Sequence, residues 1–458
     1  MPDIALSTQA FDRSSRGGSS EFLLNMYSEP QSNGEIHLLS QPGVTQFSTG
    51  YAGNLRFMDA KEGVFGGDIF SIHGTGVYRT NSAGVVTEIG QVPATGEVTI
   101  AIGRNEVLFC VAPGMWSYNG VDFVPVTLPS VGASTVDYIA QRFVATVPND
   151  DRWYWSNIFD GRTWDGLDFI TAEGKADVAL RVHTTEQFVF IFGTESAEIY
   201  SPNTNPRSSS DAFRRVTTGA MPNGLLASQS IAQEGELLFW VSDRRNVFIA
   251  NGFRPLKIST PWVHDIMDSY TEAQLVDLIG FAYTLSGHTF FVLTLQGEFT
   301  ISYDVGQRKW NKLSTLSLGS WRLARGVDIF GQVIGGNPDN ADLFALDINE
   351  NLDAGEQIVQ EFSALIQVRQ PTALNDLTVD LFSSEAGIIS ASFSDNFGRT
   401  FTSLTDTAVM TSPSGNEDNQ VMWRNLGTIR AREQLWRFRM SDPAKITVHG
   451  ARINDGEN

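Results

Sequence analysis

Five times along the chain a polar turn gives way to a run that is apolar at nearly every position, not at every second one. The turns are Gly103-Arg104-Asn105-Glu106, Ala140-Gln141, Thr184-Thr185-Glu186-Gln187, Gln233-Glu234-Gly235-Glu236 and Ser286-Gly287-His288; the runs are 107–112, 142–147, 188–192, 237–241 and 289–295. A strand points its side chains alternately to two faces, so a strand apolar throughout is buried on both. A sheet packed between two other sheets meets that demand. Another strand precedes each run, with starts near Val98, Val136, Val178, Ala227 and Gly280 and a further one near Gly326, which gives spacings of 38, 42, 49, 53 and 46.

A period of roughly 40 to 50 residues with about four short strands per unit predicts a β-propeller, whose blades bury both faces against their neighbours. An earlier unit over 54–89 brings the count to six or seven blades, and the strand 35–39 is available to close the ring and remove its exposed edge. The long spacings have visible causes. One contains the Pro/Ser loop 202–211. The other contains a helical insertion: Thr260-Pro261 supplies an N-cap and a first-turn proline ahead of Trp262, Val263, Ile266, Met267 and Tyr270, and Thr271-x-x-Gln274 is a capping box ahead of Leu275 and Leu278.

Beyond about residue 350 the pattern changes to alternation, with strands expected at 378–382, 388–393, 399–404, 421–423, 435–440 and 446–452. In the clearest of them Trp436, Phe438 and Met440 point one way and Arg437 and Arg439 the other. The expected fold is therefore all-β: an N-terminal arm (1–30), a β-propeller of six or seven blades with a short helical insertion (31–350), and a C-terminal antiparallel β-sandwich (351–458).

Composition narrows this picture. Of 458 residues, 41% are hydrophobic, which is enough for a sizeable core, and no apolar run approaches the ~18 residues of a spanning helix, so a soluble protein without a membrane-spanning segment is expected. The start, Met1 to Ser7, has neither a basic nor an apolar leader segment, and secretory export is not expected. The single cysteine, Cys110, excludes an intrachain disulfide framework and lies in an apolar run, as a buried thiol does. The formal charge of −20 argues against a broad nucleic-acid-gripping surface, because phosphate affinity comes from Lys and Arg. It leaves room for a surface past which nucleic acid slides.

Candidate chemistry is sparse. The Gly174-Lys175 pair lacks the flanking Gly and Ser/Thr of a phosphate loop, with Phe169 and Ala176 in those places. The six histidines, 37, 73, 183, 264, 288 and 449, have no metal-ligand spacing. Asp347-x-Asn349-x-Asn351-x-Asp353 alternates oxygen ligands as a calcium loop does, yet Leu352 and Ile358 stand where Gly and Glu belong, and a polar linker explains the segment as well. Ser394-x-Asn396-x-Gly398-x-Thr400-Phe401 resembles the Asp-box hairpin of sialidases and other propellers, a structural feature there. A pair of carboxylates for glycosidic cleavage can come from any two loops, and 52 acids offer no single choice. Arg424, Arg430, Arg432, Arg437 and Arg439 gather positive charge near the C-terminus, where they can touch phosphates or pair with acids of the same or a neighbouring subunit.

Several stretches in order resemble the packaged-DNA stabilisation, or tail hub and nozzle, proteins of short-tailed bacteriophages. They are Asn25-Met26-Tyr27-Ser28-Glu29 followed by Gln41-Pro42-Gly43-Val44; Trp155-Ser156, Trp164 and Phe169; Phe192-Gly193-x-x-Ser196-x-Glu198; Ser269-Tyr270-Thr271-x-x-Gln274-Leu275; and Trp423-Arg424-x-x-Gly427-x-Ile429-Arg430. The resemblance implies a structural virion subunit, not an enzyme, with no cofactor or metal. It implies a ring, taken as six copies, below the portal and its adaptor in the tail of a virion assembled in the host cytoplasm. The ring extends the DNA channel and helps retain packaged DNA until ejection. The implied partners are the portal adaptor (head-to-tail connector), needle, tailspike or fibre proteins, and duplex DNA passing without specific binding. Interface candidates are Trp262, Ile266 and Met267 on the helical insertion and Arg437 and Arg439 on the C-terminal strand. Two other readings stay open: a glycan-binding or glycan-cleaving propeller, suggested by 10 Trp, 10 Tyr and the Asp-box-like hairpin, and a host-side propeller scaffold.

Overall fold

The computed structural model describes residues 3–12, 20–172, 177–216, 221–409 and 419–454, and among these the chain is mostly β. It separates into two compact units built from interleaved segments: residues 46–284 with 323–345, and residues 1–45 with 285–322 and 346–458. The unit boundaries therefore fall at other places than the 30/31 and 350/351 junctions expected from the hydrophobic rhythm.

The first unit is the propeller. Blade one comprises Leu55–Asp59, Ile69–His73, Gly76–Thr80 and Val86–Gln91, and blades two to five follow as four-stranded antiparallel meanders beginning at Val98, Thr135, Ala179 and Ala232. Blade six joins Arg325–Ile329, Gln332–Gly336 and Leu343–Asp347 to Gly43–Ser48. A further inner strand, Ile279–Leu285, stands between blades five and six, where Thr284 donates to Glu234 (3.0 Å) on one side and Phe281 packs by Gly326 on the other. A Cβ on Gly326 would sit 2.9 Å from the Phe281 ring, so only glycine lets these two strands approach so closely.

Four of the doubly apolar runs are the second strands of blades two to five, and their alternation explains their composition; the fifth, 289–295, lies in the strand His288–Leu295 of the other unit. In Val107–Val111, residues 107, 109 and 111 belong to the core shared with blade one, while Leu108 and Cys110 belong to the core shared with blade three. In Val189–Gly193, Val189 and Ile191 face blade three, and Phe190 and Phe192 face blade five. Each such side chain contributes about 1.5–3 kcal/mol of burial, so both faces of every blade hold the ring together. Closure runs through Tyr51, Leu55, Ile69 and Tyr78 of blade one against Ile329, Ile334 and Leu343 of blade six.

The closing strand differs from the expected one. Residues 35–39 do not close the ring; Ile36–Ser40 forms a hairpin with Met26–Pro30 and pairs with Ile446–Asn454 in the other unit, where Leu38 is fully buried. Gly43–Ser48, seven residues further on, takes the closing place. The start expected at Ala227 is a single 3-10 turn, Ser228–Ser230, and the strand begins at Ala232.

The helical insertion is present as helix Pro261–Asp268, with the Thr260 hydroxyl accepting from the Val263 amide (3.4 Å), and as the turn Glu272–Leu275 behind a Thr271/Gln274 capping box.

The second unit is a curled antiparallel sheet. Gln360–Gln367 runs beside Glu433–Met440, which also pairs with Gly387–Ser394, while Thr372–Ser383 pairs with Asn419–Ile429 and Ile446–Asn454. The curl brings Trp423 of one half to 5.4 Å from Phe438 of the other. Trp436, Phe438 and Met440 are buried and Arg437 and Arg439 lie on the other, wetter face, as the alternation predicts. The strand expected at 399–404 is instead a turn, held by Ser394 accepting from the Gly398 amide (2.9 Å) and Asn396 accepting from the Thr400 amide (3.0 Å); the strand starts at Thr405. Buried ion pairs hold this unit together: Arg322 with Asp353 (2.7 Å) and Glu356 (2.6 Å), and His288 with Asp304 (2.7 Å).

Candidate functional site

The inner strands of a propeller surround its axis, and here they enclose a cavity of about 680 Å³. Hydrogen bonds between neighbours give their direction. The Thr135 hydroxyl accepts from the Val182 amide (3.0 Å) and Asp137 from the Thr184 amide (2.7 Å), so the residue numbers rise together and the strands are parallel. A five-residue strand rises about 16 Å. Side chains therefore come to the axis sorted by their place along the strand.

Near the strand starts lie Phe57, Arg181, Gln229 and Arg325. Arg181 donates to the Ser228 carbonyl (2.8 Å) and Arg325 to Gln229 Oε1 (2.9 Å), while the Gln229 amide nitrogen reaches the Val98 carbonyl (3.0 Å) and Glu97 (3.3 Å). Both guanidinium groups stand over the Phe57 ring, at 5.8 and 5.5 Å from its centre. Burial and the neighbouring Arg181 charge push the Arg325 pKa down to about 9.

A chain of polar contacts links three neighbouring inner strands at the middle. Asp137 accepts from the Tyr138 amide (2.7 Å) and lies 3.6 Å from His183 Nδ1, and His183 Nε2 bonds Gln233 (2.8 Å). Burial lowers the His183 pKa against the pull of Asp137. Asp59 is half-buried on the cavity wall; its enclosure by the chain, and then the Asp137 charge, push its carboxyl up to about 7. Toward the strand ends Glu186, Glu234 and Asp328 line the wall together with Lys61, and burial raises both Glu234 and Asp328. The cavity thus has an arginine end and an acidic end. Among the described residues no group of His, Cys, Asp and Glu is arranged to hold a metal ion.

The sequence pattern of the family described as Bacteriophage P22 Gp10, beta-propeller (Phage_stabilise) matches residues 17–350. The chain belongs to the phage-stabilisation family. No curated protein matches it in sequence. Among solved structures it is similar to BamB from Moraxella catarrhalis (10% identity, 68% of this chain and 98% of that one, TM-score 0.41) and to Hsv2 from Kluyveromyces lactis (10%, 64% and 97%, TM-score 0.38). It is also similar to BBS1N in complex with ARL6DN (9%, 68% and 100%, TM-score 0.43).

The residues singled out from sequence do not line the cavity of this phage-stabilisation propeller. Trp262 (3% exposed) and Met267 are buried within the propeller unit and Ile266 is half-buried. Arg437 stacks on the Phe401 ring (4.2 Å) with Phe22 beyond (5.8 Å), and Arg439 lies 3.6 Å from Glu361. The arginines thus have protein partners in their own unit. Asp353 of the calcium-like segment is taken by Arg322 and the Thr315 hydroxyl. Cys110 is fully buried, which raises its thiol pKa. Gly174-Lys175 lies outside the described residues. No described helix is long and apolar enough to cross a membrane. Sequence reasoning missed Asp59, Asp137, Arg181 and Arg325. The available signal was a charged residue inside the first strand of a repeat, as in Ala179-Leu180-Arg181-Val182.

Proposed function

We propose that this member of the phage-stabilisation family is a tail hub or nozzle subunit that assembles as a ring, taken as six copies, below the portal and its adaptor. It extends the DNA channel and helps retain packaged DNA until ejection. The family match over residues 17–350 carries this reading. The charge supports it: six copies would bring 6 × (−20) = −120 formal charges, and an acidic wall repels a duplex over about 8 Å at physiological salt, keeping it near the axis. The conduit belongs to the ring and not to one propeller, because a cavity of about 680 Å³ is too small for a duplex whose major groove alone is about 12 Å wide. The portal adaptor and the needle, tailspike or fibre proteins are the partners such a ring would meet. The test is to assemble and fill particles with and without this chain. Particles lacking it should lose packaged DNA to nuclease; retention equal to that of complete particles would overturn the proposal.

One observation favours a second reading. The Asp59 carboxyl, raised by burial and by the neighbouring Asp137 charge, is of the kind that serves as the general acid of glycosidic cleavage. Both oxygens of Asp137 already accept backbone amides, which suits a structural role better. Hydrolysis of an oligosaccharide that is abolished in Asp59→Asn would establish the second reading.

A further inference from the structure

The arginine end of the axial cavity differs from three arginine sites elsewhere in the propeller. Arg79 is paired with Asp68, Arg152 with Asp150 and Arg162 with Glu106. Arg181 and Arg325 form no ion pair within 4 Å, although Glu97, Asp137 and Asp59 are near enough to act on Arg181 through their charge. Arg181 is only 7% exposed, and the Nε of each arginine is buried without a hydrogen-bond partner. A buried N–H without a partner is costly, and more so on a charged group.

Each guanidinium commits Nη1 to the chain, Arg181 to the Ser228 carbonyl and Arg325 to Gln229. That leaves on each the edge formed by Nε and Nη2; Nε is enclosed by the chain, so an oxoanion meets Nη2 first and completes the two parallel hydrogen bonds of that edge with a small shift of the side chain. Both carbons stand over one Phe57 ring, so they lie within about 11 Å of one another. An oxoanion accepting hydrogen bonds of about 2.8 Å from each can bridge guanidinium groups up to about that far apart. Lining the same end, Gln229 fixes Arg325 and ties it to the Val98 carbonyl and Glu97, so the fork is held in place before any ligand arrives. The acidic residues at the other end, Glu186, Glu234 and Asp328, would repel an anion from going further.

We propose that the strand-start end of the axial cavity is a binding site for a small oxoanion of the phosphate class, held between the guanidinium groups of Arg181 and Arg325. Two forks call for an ion with at least three acceptor oxygens, which a phosphate has and a single carboxylate lacks. A cavity of about 680 Å³ admits either free phosphate or the phosphate of a mononucleotide. This site is independent of ring assembly.

The test uses the full chain, with inorganic phosphate titrated at constant ionic strength against sodium chloride and read by thermal unfolding and phosphorus-31 NMR. Wild type should show a saturable rise in unfolding temperature and broadening of the phosphate signal. Arg325→Lys, which keeps the charge and loses the fork, should weaken binding at least tenfold, as should Arg181→Gln. If the deeply buried Arg181→Gln variant does not fold, Arg325→Lys decides, because its side chain opens on the cavity. Uridine 5′-monophosphate binding tenfold tighter than phosphate would assign a nucleotide source, and equal affinity would assign free phosphate. Phosphate acting no differently from chloride, acetate binding as tightly as phosphate, or unchanged affinity in Arg325→Lys would each overturn the proposal.

Discussion

Arg322 is the last residue of one segment of the curled-sheet unit, and Asp353 and Glu356 lie near the start of the next, so their ion pairs tie together chain ends separated by residues 323–345. The side chains of Arg322 and Asp353 are only 9% and 5% exposed. Removing one partner of such a pair leaves a buried charge uncompensated and costs about 3–5 kcal/mol. Asp353→Ala should fall at the lower end, because Arg322 keeps Glu356. Arg322→Met should fall at the upper end, because Asp353 keeps only the Thr315 hydroxyl as a side-chain partner. With a urea m-value of about 3 kcal/mol/M, these losses lower the unfolding midpoint by about 1 to 1.7 M. The fluorescence of buried Trp310 and Trp321 provides the readout. The double variant Arg322→Met/Asp353→Leu replaces both charges by apolar groups, leaves the one-third-exposed Glu356 free to turn to water, and should recover most of the loss. A double variant as unstable as the sum of the two single ones would refute the reasoning, since it would show that packing volume and not stranded charge sets the cost.

Two further outcomes follow from the packing and the titration of named groups. Trp262→Ala empties a site only 3% exposed and should cost about 3–5 kcal/mol by urea unfolding; an unchanged midpoint would show that the helical insertion is not anchored through it. His288, bonded to Asp304 at 2.7 Å, has its pKa raised first by that hydrogen bond, so its stabilisation is complete below its unfolded pKa of about 6.5 and is lost as pH rises through the higher folded value. The urea midpoint should therefore decline in the wild type as pH rises above about 6.5, and His288→Gln should flatten that decline; an equal decline in both would remove His288 from the account.

The repeat was legible because each second strand serves two cores at once, which forces residues such as 107–111 and 188–192 to be apolar at every position. The helix start was legible for a local reason, the Thr260 cap followed by Pro261. Ring closure was not. Residues 35–39 and 43–48 are both short and strand-forming, and the choice between them is made by long-range partners: Ile446–Asn454 takes the first and blade six the second. The turn at 394–400 was read partly as a strand because its hydrogen bonds run from side chains to backbone, which alternation does not register. The axial residues were hidden for a similar reason. Asp59 and Arg325, the outermost of the four axial residues, are 325 − 59 = 266 positions apart, and only the parallel stacking of inner strands brings Asp59, Asp137, Arg181 and Arg325 to one cavity.

The central claim is that a phage-stabilisation propeller works as a ring, and its native mass tests that most directly. Sedimentation of the purified chain over a range of concentrations, alone and with the portal adaptor ring, should reveal a closed species of 6 × 50.3 kDa, about 302 kDa. A single species near 50.3 kDa at every concentration, with and without the adaptor, would contradict the account.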